Sequence, residues 1–312
     1  AELGKQFVEL WAQDLAGNAD FCETFIEVQD NNNNCVPGGT VTVAGTLKTE
    51  MVDGVEDATV SLQAGPFTSI DMSDNQGQFV FNYVPASSNY TITPTKDDNP
   101  LNGVSTFDLV LMSKHILGLQ PLTSPYKMIA ADANISNSIT TCDIVEVRKL
   151  LLGIYSELPN NTSWRFVDKN YVFPQPLNPF ATQFPEIITA NASAPVNNDF
   201  VGVKIGDVNN TAIANAVMST DDRSAGTMLF DVQDRDVKAG EVFEVTFKGT
   251  EQVEGYQFTL NLSGLEVADI VENDLVKRGN FGVFPDALTT SVDVPAASAA
   301  AANEFTVKFR AV

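Results

Sequence analysis

VSTFDLVLMSKHILGLQ (residues 104–120) and ITTCDIVEVRKLLLGIY (residues 139–155) align without a gap at an offset of 35 residues. Six of the 17 pairs are identical, among them Asp108/Asp143, Lys114/Lys149 and Gly118/Gly153, and six more are conservative. This is an internal duplication. Each copy places apolar residues at helical spacing, Leu109, Met112 and Ile116 in the first and Ile144, Val147 and Leu151 in the second. Each ends in Leu-Gly, where glycine supplies the left-handed residue that closes a helix. The pattern predicts two equivalent helices, each preceded by a polar loop.

Those loops carry the chemistry. The second runs Asp132-Ala-Asn134-Ile-Ser136-Asn137-Ser138-Ile-Thr140-Thr-Cys-Asp143. Oxygen side chains stand at loop positions 1, 3, 5, 9 and 12, and the Ser138 carbonyl is available at position 7. This is the EF-hand spacing: a hard cation takes six to eight oxygens, and alternate residues of a tight loop can all turn inward, with the last ligand coming from the first turn of the next helix. Position 12 is Asp rather than Glu, and position 6 is Asn137, which tolerates the left-handed conformation that glycine usually provides. The first loop, Asp97-Asp98-Asn99-Pro-Leu101-Asn102-Gly103-Val-Ser105-Thr-Phe-Asp108, matches at positions 1, 3, 9 and 12. Leu101 at position 5 offers only its carbonyl, as does Gly103 at position 7, so this loop is expected to bind more weakly. Two Ca2+ sites are expected, the alternative for either loop being a solvated Asx turn that caps its helix. Gly206-Asp207-Val208-Asn209-Asn210 opens like a third loop, but no helix and no position-12 acid follow it. Asp207 and Asn209 either supply ligands to one of the two sites or stabilise a turn, and a turn is the expectation.

Loop–helix duplication with Asp at position 12 resembles a type I dockerin, and residues 96–155 are read as a dockerin-like calcium module. The 35-residue offset is longer than is usual for that family. Phe107 and Cys142 at loop position 11 depart from its recognition code, which puts recognition of a classical cohesin partner in doubt.

The flanks read as strands. Residues 1–36 contain FVELWAQD and ETFIEVQD around a turn; Ala12, Asp14, Gly17, Asn18 and Cys22 resemble the end of a hyalin-repeat, immunoglobulin-like module. Cys22 and Cys35 flank a turn-rich stretch and are expected to form a disulfide. Residues 40–95 alternate with period 2 through TVTVAGTLKTE, ATVSLQA, TSIDMS, GQFVFNYV and YTITPT, which predicts a small β-sandwich resembling carboxypeptidase-regulatory-like or Cna B-type modules. Residues 156–225 hold five of the 15 prolines between Pro174 and Pro195 and are expected to be a Pro-rich loop extension. Residues 226–312 return to strand patterns, and EVFEVTFKG with YQFTLNLSGL resembles a cohesin-like β-sandwich cut short at its end. Tyr256 and Phe258 in that stretch are expected to be core. The fold class expected is therefore mainly β and multidomain, with small β-sandwiches flanking a two-helix, EF-hand-like module.

Composition narrows the partners. With 40 acidic and 18 basic residues the formal charge is −22, which argues against nucleic acid and anionic membranes. No run approaches the roughly 20 apolar residues of a membrane helix, so no membrane insertion is expected. No nucleophile, zinc or phosphate-loop motif appears, and no enzyme is expected. Read together, the resemblances imply a calcium-stabilised structural or adhesive segment of a longer extracellular or cell-surface bacterial protein. Its partners would be neighbouring modules of the same chain, further copies of itself, or a cohesin- or dockerin-like protein. The alternative is a scaffold or accessory region of a polysaccharide-degrading enzyme.

Overall fold

The computed structural model describes residues 4–13, 19–28, 39–194, 196–216, 228–294 and 304–312. The chain is mainly β, with five sheets and three α-helices among these residues. At the N-terminal end β1 (Gly4–Gln13) and β2 (Ala19–Val28) pair antiparallel, Gly4 opposite Val28 and Gln13 opposite Ala19. The expected Cys22–Cys35 pair lies outside the described residues, Cys35 entirely and Cys22 in its side chain.

The alternation read from residue 40 onward builds β3 (Thr40–Thr49), β4 (Thr59–Ala64), β5 (Phe67–Met72), β6 (Gln78–Pro85) and β7 (Asn89–Thr95). Because side chains on a strand alternate between faces, Leu47, Val60, Leu62, Phe79, Phe81 and Ile92 turn into one core and are almost wholly buried. The chain then leaves the sandwich and forms α1 (Thr106–Ile116), α2 (Pro125–Ala131) and α3 (Thr141–Leu151). It returns as β8 (Trp164–Asp168), β9 (Ile188–Asn191) and β10 (Phe200–Lys204). One sheet has the order β6-β3-β10-β8 and the facing sheet β5-β4-β7-β9. β10 runs parallel to β3, with Phe200 opposite Leu47, and antiparallel to β8.

The helical unit is thus an insertion into the first sandwich. It leaves and rejoins at one point, where the Trp164 N–H donates to the Lys96 carbonyl at 3.2 Å and the Ser163 N–H donates to Asp97 Oδ1 at 2.7 Å. Residues 156–225 were expected to be a loop extension and instead supply three strands that complete both sheets. β8 and β9 have five and four residues, too few to show a period. β10 is central and buried along its whole length, so it reads as a continuous apolar run without alternation. The helices number three rather than two. Ser124 caps α2, accepting from the Tyr126 N–H at 3.2 Å, and Pro125 occupies the first helical position, where its missing N–H costs nothing.

The C-terminal part packs β11 (Phe230–Asp231), β12 (Val242–Gly249), β13 (Gly255–Asn261), β14 (Leu265–Val271), β15 (Phe281–Val283), β16 (Ala287–Asp293) and β17 (Glu304–Ala311) into two sheets, β11-β12-β17-β14 and β13-β16-β15. Their core is aromatic: Phe247 stacks on Phe305 at 4.8 Å, and Tyr256 and Phe258 flank the same ring. Helix α1 lies against β13 and β16 of this second sandwich. Gly255 permits that approach, since a Cβ there would stand 2.9 Å from Val110 Cγ2.

Candidate metal centre

The loop 132–143 joins the end of α2 to the start of α3. Asp132 accepts the Ser136 N–H on Oδ1 and the Asn137 N–H on Oδ2, both at 2.9 Å. Ser136 Oγ lies 3.1 Å from the Ser138 carbonyl. Thr140 caps α3 and donates from its N–H (2.9 Å) and hydroxyl (3.1 Å) to Asp143 Oδ2. The loop closes where the Asn134 N–H meets Asp143 Oδ1 at 3.3 Å. Ile135 at position 4 and Asn137 at position 6 have φ of +56° and +60°. A β-branched residue in that region is strained, so the whole loop must impose the conformation. The residues expected at positions 1, 3, 5, 7, 9 and 12, namely Asp132, Asn134, Ser136, Ser138, Thr140 and Asp143, therefore belong to one hydrogen-bonded loop.

The other acid at the start of a helix, Asp108, has a different companion from the one expected. Ser105 caps α1 and donates from its N–H and hydroxyl to Asp108 Oδ2, both at 2.9 Å. Asp108 Oδ1 accepts the Val208 N–H (2.9 Å) and the Asn209 N–H (3.3 Å), from a segment a hundred residues along the chain. That segment repeats the first half of loop 132–143 contact by contact. Asp207 Oδ1 accepts the Thr211 N–H at 3.1 Å and Oδ2 the Ala212 N–H at 2.7 Å. Thr211 Oγ1 donates to the Gly103 carbonyl at 3.0 Å, as Ser136 does to Ser138. Asn210, at position 4, has φ of +63°. The second half of the unit is then Gly103, Ser105 and Asp108. A Cβ on Gly103 would stand 2.5 Å from the Ala212 backbone, so the two halves meet only because residue 103 is glycine.

The first loop is therefore split. Gly103, Ser105 and Asp108 stand where the spacing put them, but Asp97, Asn99 and Leu101 do not share their network, and Asp207, Asn209 and Thr211 take positions 1, 3 and 5. The reason is Pro100. Position 4 is left-handed in both assembled loops, and proline is held near φ −65°. Asp97 instead clamps the base of the insertion through Ser163, and Leu101 is exposed. The signal was present in the sequence: Asp-Val-Asn-Asn-Thr has oxygens at 1, 3 and 5 and an Asn at position 4. The acid that completes it, Asp108, lies upstream rather than downstream.

Asp108, Asp132 and Asp143 are fully buried and Asp207 is 4 % exposed. No ion pair reaches any of the four among the described residues. Burial, and then the charge of Asp207, push the Asp108 carboxyl up to about 7 against the pull of its Ser105 and Val208 hydrogen bonds. Burial also raises Asp207 and Asp132, each opposed by the backbone N–H groups it accepts. The nearby Lys204 is 5 % exposed, donates to the Pro100 and Ile205 carbonyls, and is lowered to about 8 by burial. Each unit thus sets two buried carboxylates among amide, hydroxyl and carbonyl oxygens. Among the described residues no three His, Cys, Asp or Glu side chains converge. The donor set fits a hard cation such as Ca2+ rather than a thiolate- or imidazole-seeking metal.

Comparison with protein-family models, with curated proteins and with solved structures finds no match.

Proposed function

We propose that the chain is a non-enzymatic, calcium-stabilised structural or adhesive segment of an extracellular bacterial surface protein. One Ca2+ ion closes the loop between α2 and α3 within the helical unit, and a second fastens that unit to the first sandwich. The observation that carries this reading is the pair of matched units, each with two buried carboxylates and aligned backbone N–H groups; among the described residues no ion pair reaches these acids, and the buried Lys204 near Asp207 is one charge against the two of its unit. Burying like charges together is costly unless a cation or protons compensate. Asp132, Asn134, Ser136, Ser138, Thr140 and Asp143 would hold one ion, and Asp207, Asn209, Thr211, Gly103, Ser105 and Asp108 the other. At roughly millimolar extracellular calcium, a site with Kd near 10⁻⁴ M adds about 1–2 kcal/mol. The second ion would join residues that the sequence separates by a hundred positions, locking β10 to α1. The docking of α1 on β13 and β16 favours a structural part over a scaffold part, because the duplicated helices already have a partner in their own chain.

Calorimetric titration of chelator-treated protein is expected to show two equivalents of Ca2+. Asp143→Asn should remove one equivalent and Asp207→Asn the other. A chain that binds no calcium, and whose unfolding midpoint is the same in chelator and in millimolar calcium, would sink the proposal.

A further inference from the structure

We propose that the C-terminal sandwich tunes the affinity of the split metal site, and of that site alone, through Gln257; this rests on the calcium reading above. Thr106 is the first residue of α1, and its backbone N–H is one of those a helix start leaves without an internal partner. That N–H and the Thr106 hydroxyl both reach Gln257 Oε1, at 2.8 and 2.9 Å, and the hydroxyl also lies 2.8 Å from Ser291 Oγ. Thr106 follows Ser105, which donates to Asp108, and precedes Asp108 by two residues. Gln257 on β13 thereby finishes the capping of the turn that presents two of the split site's donors.

Among the described residues the duplicate site has no such support. Thr141, the counterpart of Thr106, is exposed. Among the described residues the second sandwich's side-chain hydrogen bonds to this helix lie farther along, where Asp293 pairs with Arg148 and Thr289 Oγ1 donates to the Leu152 carbonyl at 2.7 Å. Metal binding requires the α1 start to be ordered, and in the docked chain Gln257 has already ordered it. Linkage is reciprocal, so calcium at the split site tightens the docking by the same factor that docking tightens calcium. Couplings of this kind span about 5- to 150-fold. Gln257 acts as a positioning residue, and its exposed side chain can be changed without disturbing the sandwich core.

The test is a Ca2+ titration of the full chain carrying Asp143→Asn, which leaves the split site to be read alone. Adding Gln257→Ala should weaken binding about 5-fold or more, whereas Gln257→Glu, which keeps the acceptor, should hold or improve it. In the complementary Asp207→Asn chain, Gln257→Ala should change nothing. Fitting both steps of the otherwise unaltered chain gives the same comparison without Asp143→Asn: one step should shift and the other should not. Equal affinity with and without Gln257, or equal weakening of both sites, overturns the coupling while leaving the calcium reading intact. No binding to the Asp143→Asn chain, when the unaltered chain binds, overturns the split site and the coupling together.

Discussion

Asp97 and Asp207 exchange the parts that their sequence contexts suggest. Asp97 opens an acidic loop in register with a duplicated helix, yet its carboxylate accepts Ser163 N–H at the base of the insertion. Asp207 opens what reads as an isolated turn, yet it aligns with Asp132 in each of its backbone contacts. Asp97→Asn should therefore leave calcium stoichiometry unchanged and cost at most about 1.5–3 kcal/mol, the scale of one charged hydrogen bond. Asp207→Asn should lose one equivalent. Titration and chemical denaturation of the two variants side by side check this, and loss of calcium from Asp97→Asn would restore the contiguous loop. His115, the sole histidine, gives a separate pH signature. Its Nδ1 accepts the Leu122 N–H at 3.0 Å, and burial lowers its pKa. The unfolded chain therefore takes up a proton before the folded chain does. Stability is whole above the unfolded value of about 6.5 and falls as pH drops from there through the folded value. Denaturant midpoints of the unaltered chain and of His115→Gln between about pH 7.5 and 5.5 should diverge in that direction.

At the scale of elements, what was legible followed from periodicity. The two long helices announced themselves by duplication, and β3 to β7 by alternation. α1 and α3 even end alike, with Gly118 and Gly153 at φ of +69° and +73° and with the Lys114 and Lys149 carbonyls each accepting two later N–H groups. β10 was illegible because a central strand buried on both faces has no polar phase. The split loop was illegible because a linear reading assigns the second half of a site to the residues just before it. Pro100, incompatible with position 4, and Leu101, without a side-chain oxygen at position 5, mark the mismatch in the upstream loop, while Asp207, Asn209 and Thr211 carry the missing oxygens. The same placement makes β10 the element on which site and sandwich both depend. Phe200 is fully buried beside Leu47, and Phe200→Ala should cost about 3–5 kcal/mol. Because Asp207 follows directly from β10, that variant should also weaken calcium at the split site more than at loop 132–143. The second sandwich has a core of its own, so its unfolding transition should persist. Differential scanning with and without calcium resolves the two, and a single transition lost as a whole would contradict the separation.

Across the whole molecule, charge and docking meet at Asp293. The chain carries a formal charge of −22, and one acid of the described residues, Asp293, is largely covered, with its side chain 8 % exposed. It accepts Ser113 Oγ at 2.6 Å and pairs with Arg148, so one carboxylate holds both duplicated helices to β16. Among the described residues Arg148 Nε is buried without a hydrogen-bond partner, which leaves Asp293 as the compensation for that guanidinium. Removing one member of a fully buried pair strands the other charge and costs about 3–5 kcal/mol; for this largely covered pair that range is the upper bound. Lys114 and Glu254 also pair across the interface at 2.8 Å, but Glu254 is 38 % exposed, and such pairs contribute at most about 1 kcal/mol. Asp293→Ala should therefore release the second sandwich from the helices, while Glu254→Ala should leave it docked. Small-angle scattering reads the difference as a larger radius of gyration for Asp293→Ala alone. A zero-length cross-link between Lys114 and Glu254 should form in the unaltered chain and fail in Asp293→Ala. An unchanged radius with the cross-link retained would mean that the apolar approach of Val110 to Gly255, rather than the Asp293–Arg148 pair, holds the helical unit to the second sandwich.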